Sequence, residues 1–137
     1  MTNPTWKDKC AAKQAEAAAK IPAEWRLSAG VLQKVDNNQL EILDVPSKCG
    51  VLTKEELAIT EIADATTLRD KLAAQELSAI DVATAFCKRA AIAQQVTSCL
   101  TETMFPQALA RAKELDKHIK ATGKPFGPLH GVPISLK

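Results

Sequence analysis

No tyrosine occurs in these 137 residues, and only 4% of them are aromatic. A core built on large rings is therefore excluded, and alanine and aliphatic side chains must do the packing. Alanine brings little apolar surface to a site where burial is worth about 25 cal/mol per Å², so close helix contacts are expected instead. The four cysteines, Cys10, Cys49, Cys87 and Cys99, include no Cys-x-x-Cys pair, which leaves no zinc or dithiol redox motif. No run approaches the ~20 apolar residues of a membrane span. The opening "MTNPTWKDKCAAKQAEAAAK" has no apolar core of a signal peptide, and its Asp8 and Glu16 argue against a mitochondrial presequence. A net charge of +2 with interleaved signs gives no basic stripe. We therefore expect reduced thiols, a cytoplasmic location, and neither nucleic acid nor membrane as partner.

What is present is the balance of a folded chain, 46% hydrophobic and 25% charged. Asn3-Pro4 suits a helix start, with Trp6, Cys10, Ala17 and Ile21 along one face and Pro22 as the stop. "IPAEWRL" supplies Trp25 and Leu27 as anchors. Residues 28–50 show no period and contain Gly30, Pro46 and Gly50, so an extended, wandering connection is expected. Thr53 and Glu56 form a capping-box pattern before a short helix "KEELAIT", and Asp64 caps a helix carrying Leu68 and Leu72. Ser78 and Asp81 open "AIDVATAFCKRAAIAQQ", the clearest amphipathic helix, with Ile80, Ala83, Cys87 and Ala90 in a row. Cys87 reads as a small buried hydrophobe.

"VTSCLT" (96–101) is short, β-branched and uncharged, as a buried strand should be. Pro106 starts a further helix whose inward row is Ala108, Ala112, Leu115 and Ile119, with Arg111, Lys113, Glu114, Asp116 and Lys117 on the wet side and Gly123 at the C-terminus. A Gly/Pro loop then leads to "VPISLK" as a second strand. Strand, helix, strand predicts an α/β fold class: N-terminal helices plus the first βαβ unit of a mixed sheet, incomplete. Two strands cannot cover a parallel sheet, so further chain beyond Lys137 is expected. The division expected is a helix and extended arm over 1–52 and the start of a catalytic domain over 53–137.

The segment "GKPFGPLHGVPISLK" (123–137) delivers Lys137 to the carboxyl end of that strand, the usual functional edge of such sheets. Pro125, Pro128 and Pro133 stiffen the approach, while Gly127 and Gly131 permit tight turns or close backbone contact. A buried amine loses its proton more easily and can act as a base. These features alone do not separate a catalytic amine from a solvated one. His130 is read as ordering the loop through a hydrogen bond rather than as a metal ligand, His118 as solvated, and Trp6 and Trp25 as core anchors. A phosphate-loop reading fails, because the Gly/Lys/Ser pattern is missing and the prolines remove amide donors.

"GPLHGVPISLK" resembles the lysine motif of the amidase signature family, in which G-P-L-H-G-x-P-I-S-x-K leads to the catalytic lysine. "LTKEELAITEIADATTLRDKLAAQELSAIDVATAFCKRAAIAQQVTSCLTE", "ALARAKELDKHIKATGKPFGPLHG" and "IPAEWRL" are similar to the N-terminal third of fungal acetamidase-type members. The resemblance implies hydrolysis of small carboxamides to acid and ammonia by a Ser–cisSer–Lys relay, with Lys137 as its lysine and no metal or organic cofactor. It also implies a homodimer in which the first helix meets a partner chain, packing on its own catalytic domain being the alternative. The family's Gly/Ser-rich stretch, which carries both serines, does not occur in these residues. Ser135 is the only local partner for Lys137, and we read it as a packing or hydrogen-bonding residue. The expectation is an N-terminal piece of an amidase, inactive by itself. The alternative is a non-catalytic helical interaction module.

Overall fold

The computed structural model of the chain describes residues 4–135, and among these every regular element is helical. Helix α1 (Trp6–Ala19) starts at Thr5: its hydroxyl accepts the Asp8 N–H, and the Asp8 carboxylate accepts the Thr5 N–H in return. The expected cap Asn3 lies outside the described residues. None of the residues of α1 is buried, and Trp6 is 71% exposed, so it is not the core anchor expected. Trp6 is the first residue of a helix whose apolar contact with the body comes at its far end, at half-buried Ala17 and at buried Ile21 just beyond it.

The sequence 28–50 does not wander. Ser28 caps α2 (Ala29–Asp36), and a 3-10 turn at Ile42–Asp44 runs into α3 (Val45–Lys48). Both helices are short, 8 and 4 residues, too short for periodicity to declare them. They are held by packing: Leu27, Val45 and Ile92 form a buried cluster, flanked by Val31, Leu32 and Val35.

The next three starts follow their capping residues. Thr53 and Glu56 close a full capping box on α4 (Lys54–Thr60), Asp64 accepts the Thr67 N–H to start α5 (Ala65–Ala73), and Ser78 accepts the Asp81 N–H to start α6 (Ala79–Thr97). Pro106 lies in the first turn of α7 (Phe105–Thr122), which ends at Gly123 with φ +69°.

Helix α6 is the spine. Its Ala79, Val82 and Ala85 join Leu68, Leu72 and Ala112 in one cluster; Cys87 and Ala91 join Ile21, Trp25 and Phe105 in a second; Ile92 completes the third. Trp25 meets Phe105 edge-on at 5.5 Å, as an anchor should. Burial drives the Cys87 thiol up to about 11, so it packs as an inert small hydrophobe. Polar ties fix the neighbours to this spine. Lys88 reaches Glu56 at 2.6 Å in a largely shielded pair, and Arg89 donates to the Thr60 hydroxyl at 2.7 Å. Gln95 accepts the Leu27 N–H at 2.8 Å and donates to the Trp25 carbonyl at 3.0 Å.

Two expected strands are not formed among the described residues. Val96 and Thr97 complete the last turn of α6, where the Thr97 hydroxyl donates to the Ala93 carbonyl at 2.7 Å. Ser98 turns left-handed at φ +50°, and the Leu100 N–H donates to the Gln94 side chain at 2.6 Å. Those amides are spent on a helix end, which leaves no ladder to build. Val132 to Ser135 are unpaired as well: the Val132 N–H closes a turn on Leu129 at 3.2 Å, and Pro133 has no N–H to give. A strand needs a neighbour, and none is present among the described residues. The first βαβ unit is thus not seen.

The integration of residues 28–50 is tested by two positions two residues apart. Val45 is 0% exposed and Leu43 is 90% exposed. Val45→Ala should cost on the order of 1.5–3 kcal/mol in urea unfolding, while Leu43→Ala should stay within about 0.5 kcal/mol. Equal, negligible effects would mean that the segment lies loosely on the surface.

Candidate active site

The sequence points to Lys137 as the reactive group, and Lys137 lies outside the described residues. What the structure shows is the platform that leads to it. At the end of α7 the Thr122 hydroxyl accepts the Lys124 N–H at 3.2 Å and donates to the His118 carbonyl at 2.9 Å, so the chain turns sharply after Gly123. Two further turns follow, the His130 N–H to Gly127 O at 3.1 Å and the Val132 N–H to Leu129 O at 3.2 Å.

His130 is 5% exposed, and its Nδ1 accepts the Phe126 N–H at 3.0 Å. An imidazole that accepts at Nδ1 carries its proton on Nε2. Burial pushes its pKa below the ordinary 6.5; the Asp116 charge opposes this, and His118 and Arg111 reinforce it. The loop-ordering hydrogen bond expected of His130 is therefore present, and the ring is held in its neutral form. His118 is not simply solvated: it is half-buried and packs edge-on against Phe126 at 5.1 Å, with the Arg111 guanidinium 4.8 Å from the same ring.

Gly131 seats the loop. Its φ of +74° favours glycine, and a Cβ there would lie 3.0 Å from Leu72 Cδ2 and 3.1 Å from Ala79 Cβ. Of the two roles the sequence offered, tight turn and close approach, this glycine serves both. Val132 then packs on the cluster of Leu68, Leu72 and Val82. Beyond it Pro133, Ile134 and Ser135 are exposed, so Ser135 stands at the surface of the described residues, two positions before Lys137.

The residue that sequence reasoning misplaced is Asp116. It was assigned to the wet side of α7, yet it is only 9% exposed, and its two oxygens accept the Ala79 and Ile80 N–H groups at 2.7 and 3.0 Å. These amides open α6, where donors lack partners and the helix dipole favours negative charge. The signal was available: Asp116 falls four residues after Ala112 and three before Ile119, both buried. Its charge masked its register.

Beside the loop lies an open recess of about 400 Å³, lined by Arg69, Ala73, Pro125, Gly127, Pro128 and His130. Among the described residues no group of three His, Cys, Asp or Glu side chains is placed to hold a metal ion, and no helix is long and apolar enough to cross a membrane.

The loop that this platform carries is shared with known proteins. The family model described as Amidase matches residues 81–137. An acetamidase of Emericella nidulans is 47% identical over 133 residues, 97% of this chain and 23% of that protein. An amidase of Gibberella moniliformis is 45% identical over 138 aligned positions, all of this chain and 26% of that protein. Among solved structures, fatty acid amide hydrolase superimposes with a TM-score of 0.82 at 37% identity, over 96% of this chain and 23% of that one. The chain thus spans about a quarter of the length of the relatives it matches. The motif, the helical platform beneath it and these matches together place the chain in the amidase family.

Proposed function

We propose that this chain forms the lysine-bearing front of an amidase that hydrolyses carboxamides to carboxylic acid and ammonia. In this reading Lys137, neutral when poised, takes a proton from a bridging serine held on a cis peptide bond. That serine deprotonates the nucleophilic serine as it attacks the amide carbonyl. Backbone N–H groups of a glycine-rich loop hold the oxyanion, each worth roughly 2.7–4 kcal/mol of transition-state stabilisation. Ammonia or an amine leaves, and water then frees the acid from the acyl-enzyme. Both serines and the oxyanion donors belong to the Gly/Ser-rich stretch that these 137 residues do not contain. These residues alone therefore release no ammonia from an amide. The division into an arm over 1–52 and the start of the catalytic domain over 53–137, and a cytoplasmic location, belong to the same proposal.

The likeness to fatty acid amide hydrolase over almost the whole chain carries this reading. Support comes also from the loop: a neutral His130 and a close-packed Gly131 fix the backbone from which residues 132–135 depart. A general base placed by a rigid scaffold is what such a relay requires.

The direct test grafts this chain in place of the matching quarter of the Emericella nidulans acetamidase. The graft should release ammonia from acetamide, and Lys137→Ala in it should lose activity by about 10²–10⁴-fold with an unchanged melting temperature. Ser135→Ala should cost little. Full activity in the Lys137→Ala graft would remove the lysine from the mechanism.

His130 gives a second, independent prediction in the 137-residue chain. Its folded pKa lies below the unfolded 6.5, so its share of stability is complete above pH 6.5 and is lost as pH falls through that value toward the folded pKa. The urea midpoint should fall across this window, and His130→Asn, which keeps an acceptor but does not titrate, should fall less steeply. Parallel curves for the two proteins would contradict a buried neutral ring.

A further inference from the structure

Helix α1 buries no side chain, and its contact with the body is carried by charge. Helix α2 also has no fully buried residue, but it packs Val31, Leu32 and Val35 on an apolar cluster. Lys13 and Lys20, seven residues and so about two turns apart, bracket the single carboxylate of Glu102. Lys13 Nζ meets Oε1 at 2.6 Å and Lys20 Nζ meets Oε2 at 2.8 Å. Glu16 lies between the two lysines on α1 and pairs with both, at 3.3 and 2.8 Å. The four groups make a closed ring of alternating sign across the gap between α1 and the segment that joins α6 to α7. The same gap is lined by Ala17 and Thr103, and the Thr103 Oγ1 is buried there without a hydrogen-bond partner among the described residues.

These features oppose one another. The ring lies at the surface, each side chain being 37% exposed or more, so its attraction is screened by salt. The Thr103 hydroxyl beside the ring also lacks a hydrogen-bond partner among the described residues, an unfavourable feature of the docked arrangement. Little apolar burial supports the contact from the α1 side, where Ala17 is the sole half-buried residue. We infer that α1 is a charge-latched arm: it lies docked while Glu102 holds both lysines, and it swings away about residue 20 as ionic strength rises, exposing the half-buried Leu100 and Thr103 and wetting the Thr103 hydroxyl. Ile21, 3% exposed, and Trp25, packed on Phe105, hold the root of the arm, so release stops there and the body stays folded.

The experiment is amide hydrogen exchange of the whole chain, comparing α1 with α6 at about 20 mM and about 1 M NaCl, where the Debye length falls from roughly 20 to 3 Å. Exchange in α1 should quicken by about tenfold with salt while α6 is unchanged. Glu102→Gln should give the fast rate already at low salt and remove the salt dependence. The charge-exchanged variant Glu102→Lys with Lys13→Glu and Lys20→Glu should restore slow, salt-sensitive exchange. Salt-independent exchange in α1 of the wild-type chain would overturn the latch. So would equal loss of protection in α1 and α6 on Glu102→Gln, because the contact would then belong to the fold as a whole.

Discussion

One carboxylate ties the two longest helices together. Asp116 projects from α7 onto the first two amides of α6, and the approach loop after Gly123 packs on the helix start that this contact fixes. Helix starts leave amide donors without partners, and a negative charge placed on them is stabilised by both hydrogen bonds and the helix dipole. A buried carboxylate is unfavourable unless such donors meet it. Ala79 serves twice, giving its N–H to Asp116 and its methyl as a wall for Gly131. The approach loop leaves α7 and returns to α6 within ten residues, so any change in how these helices cross would move the loop that points to Lys137.

Small residues make this arrangement dense. Ala79, Ala85, Ala91 and Ala112 are all buried, which lets neighbouring backbones approach and lets one helix share three clusters. That answers the scarcity of aromatic residues: two buried rings, Trp25 and Phe105, and the half-buried Phe86 suffice because little space is left to fill. The N-terminal arm divides on the same basis. From Ile21 onward it is fastened by apolar burial and by Gln95, whereas α1 before it is fastened by surface charge.

The legible parts of the fold were those encoded within four residues. Thr53 with Glu56, Asp64, Ser78, Pro106 and Gly123 each mark a helix end through local hydrogen-bond chemistry, and each stands where the sequence places it. Features set by distant contacts were not legible. Val96 and Thr97 have strand-like side chains, yet α6 runs through them because its amides find partners there. The helices in 28–50 exist through Leu27, Val45 and Ile92, which lie far apart in sequence. Trp6 is apolar but stays 71% exposed, with the Lys7 ammonium over its ring. At the site, the roles of His130 and Gly131 follow from loop chemistry, the charge of Asp116 hides an inward register that its spacing to Ala112 and Ile119 gives, and the role of Lys137 rests on resemblance rather than physics.

The claim that the Asp116 contact organises the site is most directly tested by residue-resolved hydrogen exchange at Ala79, Ile80 and Phe126. If the contact governs the platform, all three amides exchange only through opening as costly as that of the α6 interior, and Asp116→Ala releases all three together, including the distant Phe126. Fast exchange of the Ala79 and Ile80 amides in the native chain, or a Phe126 amide indifferent to Asp116→Ala, would contradict it.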